Sequence, residues 1–332
     1  MFYRVSQDCQ LSTIGIGTYL GEPDEATDRA YTAAIRQAVV GGINVVDTAI
    51  NYRQMHSELN VGAALLQLLE SGEAARDELL VCTKAGFLTP GAIPASALQS
   101  GDVVGGMHSM APDFLSHQID RSRENLGLET IDVFYLHNPE TQIRFTSPDQ
   151  FEDRLRLAFV RLESLCAQNK IRWYGTATWG AYRQKPGQPE RLDLAKVIAL
   201  AREAGGENHH FRFIQLPINL MMPEAHTQPH SADGSEPANV LELAAASGLT
   251  VIGSASIMQA RLASGLTPEL RRRLAGPSSD AQFALQFARS TPGVCTALAG
   301  MSAPAHVAEN LGLQSFPPAP LNDYVSLFRR EA

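Results

Sequence analysis

The sequence has little that would staple or anchor it. Its four cysteines, Cys9, Cys82, Cys166 and Cys295, are scattered without a CxxC spacing, which excludes a disulfide or zinc framework and fits a reducing compartment. No apolar stretch approaches the roughly 18–20 residues of a membrane span. The opening MFYRVSQDCQ lacks a basic segment followed by an apolar run, so no secretory signal is visible. Basic residues are outnumbered, 27 Lys and Arg against 35 Asp and Glu, for a net charge of −8. That balance argues against non-specific binding to nucleic acid or an anionic membrane, while leaving room for a local phosphate pocket. His56, His108, His117, His209, His210, His226 and His230 show no HxH or HExxH spacing, so no metal site is expected. The arginines around 121–123 and 271–273 read as solvated helix faces. The expectation is a cytoplasmic globule, with no signal of its oligomeric state.

What is present is a core and a rhythm. Hydrophobic residues make up 44% of the 332 positions and charged residues 19%, enough to bury a large interior. The length suits either two domains or one α/β barrel with insertions. Short apolar runs, each followed by a turn and an amphipathic stretch, recur eight times: 14–18, 44–48, 79–84, 131–137, 171–178, 211–216, 249–256 and 294–300. The helix expected after the second run starts near Ser57, with Leu59, Ala63, Leu66 and Leu69 at helical spacing. The seventh run precedes helical segments at 257–275 and 279–290. Continuous apolar strands alternating with helices indicate a parallel sheet covered by helices. Eight units favour a closed (β/α)8 TIM barrel over an open doubly wound sheet. GIGTYLG after the first run is not the GxGxxG dinucleotide fingerprint. No linker interrupts 1–332, so a single barrel domain is expected. Long connections at about 88–110, 179–189 and 217–236 all follow a strand, where they would crowd the C-terminal rim as caps over a site or stand as disordered insertions.

Barrel active sites are built at the C-terminal ends of the strands. Asp47 ends the second, Tyr52 lies just beyond it, Lys84 ends the third and His137 the fourth. A lysine at a strand end is costly unless paired, because the interior desolvates its ammonium; Asp47, one strand over, is the natural counter-charge. An ammonium near Tyr52 would stabilise the phenolate and bring its pKa below about 10. A phenol so tuned can exchange a proton with a carbonyl or alcohol oxygen, and His137 would orient that oxygen. Taken singly, these residues also serve as caps and packing groups.

GGINVVDTAINY, VCTK, IDVFYLHNPE, IRWYGTATW, FIQLPINL and PGVCTALAGMSAPAHVAENL resemble the aldo-keto reductase superfamily in order and spacing, from about residue 3 to 313. The resemblance implies a catalytic tetrad of Asp47, Tyr52, Lys84 and His137. Tyr52 would be the proton donor, Lys84 would lower its pKa, Asp47 would hold Lys84, and a nicotinamide would deliver hydride to a small carbonyl substrate. Gln215 matches the family's carboxamide-binding glutamine and Asn219 its Asn-Leu signature. Gly17 and Thr18 fall among the cofactor positions, with Asp47. The usual Ser-Asn after the fifth strand is here Ala177-Thr178, so only Thr178 offers a hydroxyl. Ser254 replaces the usual stacking aromatic at the seventh strand, and Ser256 with the 257–260 backbone would wrap the pyrophosphate. Gly300, Ser302 and His306 occupy the 2′-phosphate segment without a permanent cation, and Glu309 and Asn310 match adenine contacts. NADP is the expected cofactor, with NAD as the alternative. Two other readings stay open: a cofactor-binding sensor subunit with vestigial reductase activity, and a Schiff-base aldolase using Lys84.

Overall fold

The computed structural model describes residues 2–230 and 238–329; part of the 217–236 connection therefore lies outside the described residues. Eight strands run parallel and close on themselves: β1 Ile14–Gly17, β2 Val45–Asp47, β3 Leu80–Ala85, β4 Ile131–His137, β5 Ile171–Ala177, β6 Phe211–Pro217, β7 Thr250–Ser254 and β8 Val294–Gly300. Each strand pairs with its sequence neighbours, and β8 returns to β1. The expected (β/α)8 TIM barrel is what forms. All seven residues of β4 are buried, as two-sided covering of a parallel strand requires.

The helices α1 Glu25–Val40, α2 His56–Glu70, α3 Pro112–Leu126, α4 Pro148–Ala167, α5 Leu194–Gly205, α6 Val240–Ala246, α7 Asp280–Ser290 and α8 Pro304–Leu311 form the outer ring. Their limits are chemically marked. Asp24 accepts the Thr27 N–H to open α1, Ser147 and Gln150 make a capping box ahead of α4, and Gly127 at φ 65° ends α3. One core layer lies between strands and helices. A second fills the barrel, from Val45, Leu80, Val133, Phe213 and Ile252 at the N-terminal end. An antiparallel hairpin, Tyr3–Ser6 with Cys9–Ser12, closes that end by inserting Leu11.

Two sequence expectations needed revision. The stripe that suggested α2 faces outward: Leu59, Ala63, Leu66 and Leu69 are exposed, and Val61, Ala64, Leu65 and Leu68 are buried. The stretch 257–275 is mostly turns, helical only at Pro268–Arg271. Left-handed backbone at Met258, Gln259 and Ala260 breaks any continuous helix there. The closing hairpin at the N-terminus was not anticipated.

Candidate active site

Register places the polar strand ends in one ring. Gly17 pairs with Asp47, Lys84 with Tyr135, His137 with Ala177, Gln215 with Ala177, and Gly300 with Gly17. Lys84 Nζ donates to Asp47 Oδ1 at 2.6 Å and to the Thr48 carbonyl at 2.7 Å. The other Asp47 oxygen accepts from Gln215 Nε2 at 2.7 Å. Lys84 is 1% exposed and Asp47 4%. Burial opposes both charges, but every polar atom of the pair is used, so the pair is a bonded ammonium–carboxylate. Burial pulls the lysine down, Asp47 and Tyr52 together outweigh it, and the ammonium is held above the ordinary lysine value.

Tyr52 sits over that ammonium, with Lys84 Nζ 4.9 Å from its ring centroid. Its ring meets Tyr19 edge-on at 4.9 Å and His137 at 5.7 Å. The turn that presents it is unusual. Arg53, Gln54 and Met55 have φ of 51°, 55° and 73°, three successive side chains in a region that costs non-glycine residues on the order of 1 kcal/mol each. Arg53 holds the turn: its guanidinium donates to the Glu22 carbonyl at 3.0 and 2.7 Å and to Asp28 Oδ1 at 2.6 Å. It also lies 5.2 Å above the Tyr31 ring. Asp28 accepts in addition from Asn60, at 2.7 Å, and bonds His56 Nδ1 at 2.8 Å.

The expected drop in the Tyr52 pKa needs correcting. Burial is the largest influence and pushes the phenol up; Lys84 pulls it down, and the balance in the protein alone stays above the ordinary tyrosine value. Burial also drives His137 well below the usual histidine range, helped by Lys84, so its imidazole is neutral. Its Nδ1 is buried without a partner, while the side chain lines the cavity. A buried lone pair without a partner is cheaper than a buried N–H without one, which puts the proton on Nε2, facing the cavity.

A cavity of about 850 Å³ opens above these residues. Asp47, Tyr52 and His137 lie on its floor, with Lys84 directly beneath. Gly17, Thr18, Thr178, Gln215, Ser254, Ser256, Gly300, Ser302, His306, Glu309 and Asn310 also line it. Of the residues singled out in the sequence for this site, all but Lys84 and Asn219 line this one cavity. Glu309 is also bonded by Ser279 Oγ. Asn219 lies outside the cavity lining; its Nδ2 donates to the Ala255 carbonyl at 3.0 Å and steadies the wall beyond Ser254. From the three long connections, Trp179 reaches the cavity, and Phe87 reaches it from just before the first.

Sequence reasoning missed Asn51, Asn138 and Tyr19, which also line it. Asn51 adjoins Tyr52 in the strand-end loop, a signal that was available. Besides His137 Nδ1, three polar atoms of lining residues are buried without partners: Asn51 Oδ1, Thr178 Oγ1 and Asn310 Oδ1. Among the described residues, no lysine or arginine lines the cavity, and no three His, Cys, Asp or Glu side chains cluster as a metal site.

The chain matches the model of the Aldo/keto reductase family over residues 13–186. It is 32% identical over 160 residues to a D-threo-aldose 1-dehydrogenase from a Pseudomonas species, covering 45% of this chain and 43% of that protein. It is 24% identical over 327 residues to a putative voltage-gated potassium channel subunit beta from Schizosaccharomyces pombe, covering 92% and 86%. A solved aldo-keto reductase from Klebsiella pneumoniae in complex with NADPH superposes with a TM-score of 0.67 at 22% identity, covering 98% of this chain and 94% of that one. Another, from Bacillus halodurans, gives 0.66 at 20%, covering 99% and 95%.

Proposed function

This chain belongs to the aldo/keto reductase family, and from that premise we propose that it is an NADP(H)-dependent oxidoreductase that interconverts a carbonyl and an alcohol, with Tyr52 as general acid and base. One observation carries this reading: Tyr52 stands over a buried ammonium that is bonded to Asp47 and flanks a neutral His137, all at the floor of one cavity.

The residues present fit a nicotinamide dinucleotide. Thr178 Oγ1 and Asn310 Oδ1 are unpartnered at two points along the cavity, as polar atoms awaiting an amide and a base would be. Thr178 and Gln215 would hold the carboxamide. Gly17, Thr18, Ser254 and Ser256 would border the pyrophosphate. Gly300, Ser302 and His306 would meet the 2′-phosphate, and Glu309 and Asn310 the adenine. When bound, the nicotinamide supplies hydride to the carbonyl carbon. The chain's own part is acid–base and positional. His137 Nε2–H donates to the carbonyl oxygen and fixes its direction; Tyr52 passes its proton to that oxygen; Lys84 stabilises the phenolate left behind; Asp47 keeps Lys84 charged and in place. Proton transfer of this kind contributes on the order of 10²–10⁴ in rate. The chain works as one barrel domain in the cytoplasm, on a small-molecule carbonyl or alcohol. Tyr52→Phe tests the assignment. It should abolish aldehyde-dependent NADPH oxidation while leaving NADPH affinity, read by tryptophan fluorescence, nearly unchanged; retained turnover would remove Tyr52 from the acid role.

A second reading, a cofactor-binding regulatory subunit with vestigial chemistry, is favoured by the long match to a putative channel subunit and by the missing stacking aromatic at Ser254. Tight NADPH binding without single-turnover oxidation across a broad aldehyde panel would support it.

A further inference from the structure

We propose that His108, together with Gln142 and Arg154, is a positioning residue that holds the His137 main chain, and through it the imidazole, in the orientation the reaction requires. The inference rests on the proposed function for its kinetic consequence, but the structural linkage stands apart from it.

His137 has no hydrogen bond on its own ring: Nδ1 is buried and unpartnered. Its orientation therefore depends on its backbone and on the rings packed against it. The backbone is at a sharp transition. β4 ends at His137, and Asn138 turns left-handed at φ 48° while its N–H donates to the Ala177 carbonyl at 2.7 Å. The His137 carbonyl, pointing the other way, is 2.8 Å from His108 Nε2. His108 comes from a small hairpin, Val103–Val104 with His108–Ser109, set in the long connection after β3, and is completely buried.

The direction of this contact is determined by a chain of donors. Arg154 Nη1 donates to Gln142 Oε1 at 2.9 Å. That fixes the amide so that Gln142 Nε2 faces His108 Nδ1, at 3.2 Å. Nδ1 must then accept, the proton of His108 lies on Nε2, and Nε2–H donates to the His137 carbonyl. Burial keeps His108 neutral, with its pKa lowered to about 4, so the arrangement persists across the working pH range. Arg154 anchors the outer end by donating to the Gly101 carbonyl at 2.8 Å. Phe87 completes the mount, standing edge-on to both imidazoles at 5.2 and 5.1 Å. The long connection after β3 thus supports the floor of the cavity from behind.

His108→Leu removes the donor and His108→Gln keeps an N–H at a comparable reach. His108→Leu should lower kcat for aldehyde reduction roughly 10–100-fold, the scale of a small misplacement of a positioned group. NADPH affinity should stay within about twofold of the wild type, and His108→Gln should recover most of the loss. Imidazole ¹⁵N resonances of His137 should shift in His108→Leu and return toward wild type in His108→Gln. Unchanged His137 resonances, or full kcat in His108→Leu, would overturn the proposal whether or not Tyr52 proves to be the acid. Loss of activity by Tyr52→Phe alone, with His108→Leu as active as wild type, would leave the proposed function standing and remove this inference. If His108→Leu does not fold, Arg154→Met, at the half-buried end of the chain, should shift the same His137 resonances in the same direction; no shift there would also overturn it.

Discussion

Asp47 and Lys84 face each other across adjacent strands, 2.6 Å apart and both almost wholly buried. Their adjacency follows from the barrel: β2 and β3 are neighbours, and both end at the same rim. The pair is an electrostatic unit on which Tyr52 rests.

Breaking the pair on one side should cost more than removing both charges. Lys84→Met leaves Asp47 buried with Gln215 as its remaining side-chain partner, and should destabilise the fold by about 3–5 kcal/mol. The double variant Lys84→Met with Asp47→Asn should regain most of that stability in urea unfolding and none of the activity. Equal stability of the single and double variants would contradict the ion-pair description.

Thr178 offers an opposite pair of signs. Its hydroxyl is buried without a partner, so Thr178→Val removes an unsatisfied group and should leave the ligand-free protein as stable as wild type or more so, by up to about 1–3 kcal/mol. The same variant should bind NADPH more weakly in fluorescence titration. Weaker binding together with a less stable ligand-free protein would argue against an orphaned hydroxyl.

Gly86 is tight on two sides. A Cβ there would lie 2.6 Å from both His108 Nε2 and the His137 carbonyl oxygen. Gly86→Ala should cost about 1–3 kcal/mol of stability, read as a lowered denaturation midpoint. An unchanged midpoint would mean that the two strand ends yield freely.

His230 sets a pH dependence. Its Nε2 accepts the Leu194 N–H at 3.0 Å, and burial lowers its pKa to about 4. In the unfolded chain the imidazole takes up a proton near pH 6.5; in the folded chain it does not until about pH 4. The unfolded state therefore binds more protons between those values, and stability present above pH 6.5 falls as the pH drops toward 4, by on the order of 3 kcal/mol from this group. His230→Gln, which keeps an acceptor for Leu194, should flatten that part of the stability–pH curve. An unaltered slope would assign the acid sensitivity elsewhere.

The strands and the strand-end residues were legible because both follow from alternation. Apolar runs of fixed length locate the rim, and Asp47, Lys84 and His137 stand on it. Four features were hidden. The outward face of α2 carries Leu59, Leu66 and Leu69, so its periodicity was right and its phase wrong. The left-handed residues Arg53, Gln54 and Met55 carry no glycine to announce a turn; what permits them is a guanidinium bonded to Asp28 and Glu22, remote in sequence. The Tyr52 pKa was misjudged because counting nearby charges omits the larger influence of burial. His108 was visible only as one more histidine, since its partner lies 29 residues away.

The forced turn after Tyr52 has a mechanical consequence. Its bolt, Arg53, is fastened to the stretch leading into α1 and to Asp28 on α1 itself, and the turn runs straight into α2. The Tyr52 hydroxyl is thus tethered to the rind of the molecule as well as to its barrel. A disturbance on the outside of that helix pair, at Asp28 or Asn60, has a direct route to the Tyr52 side chain.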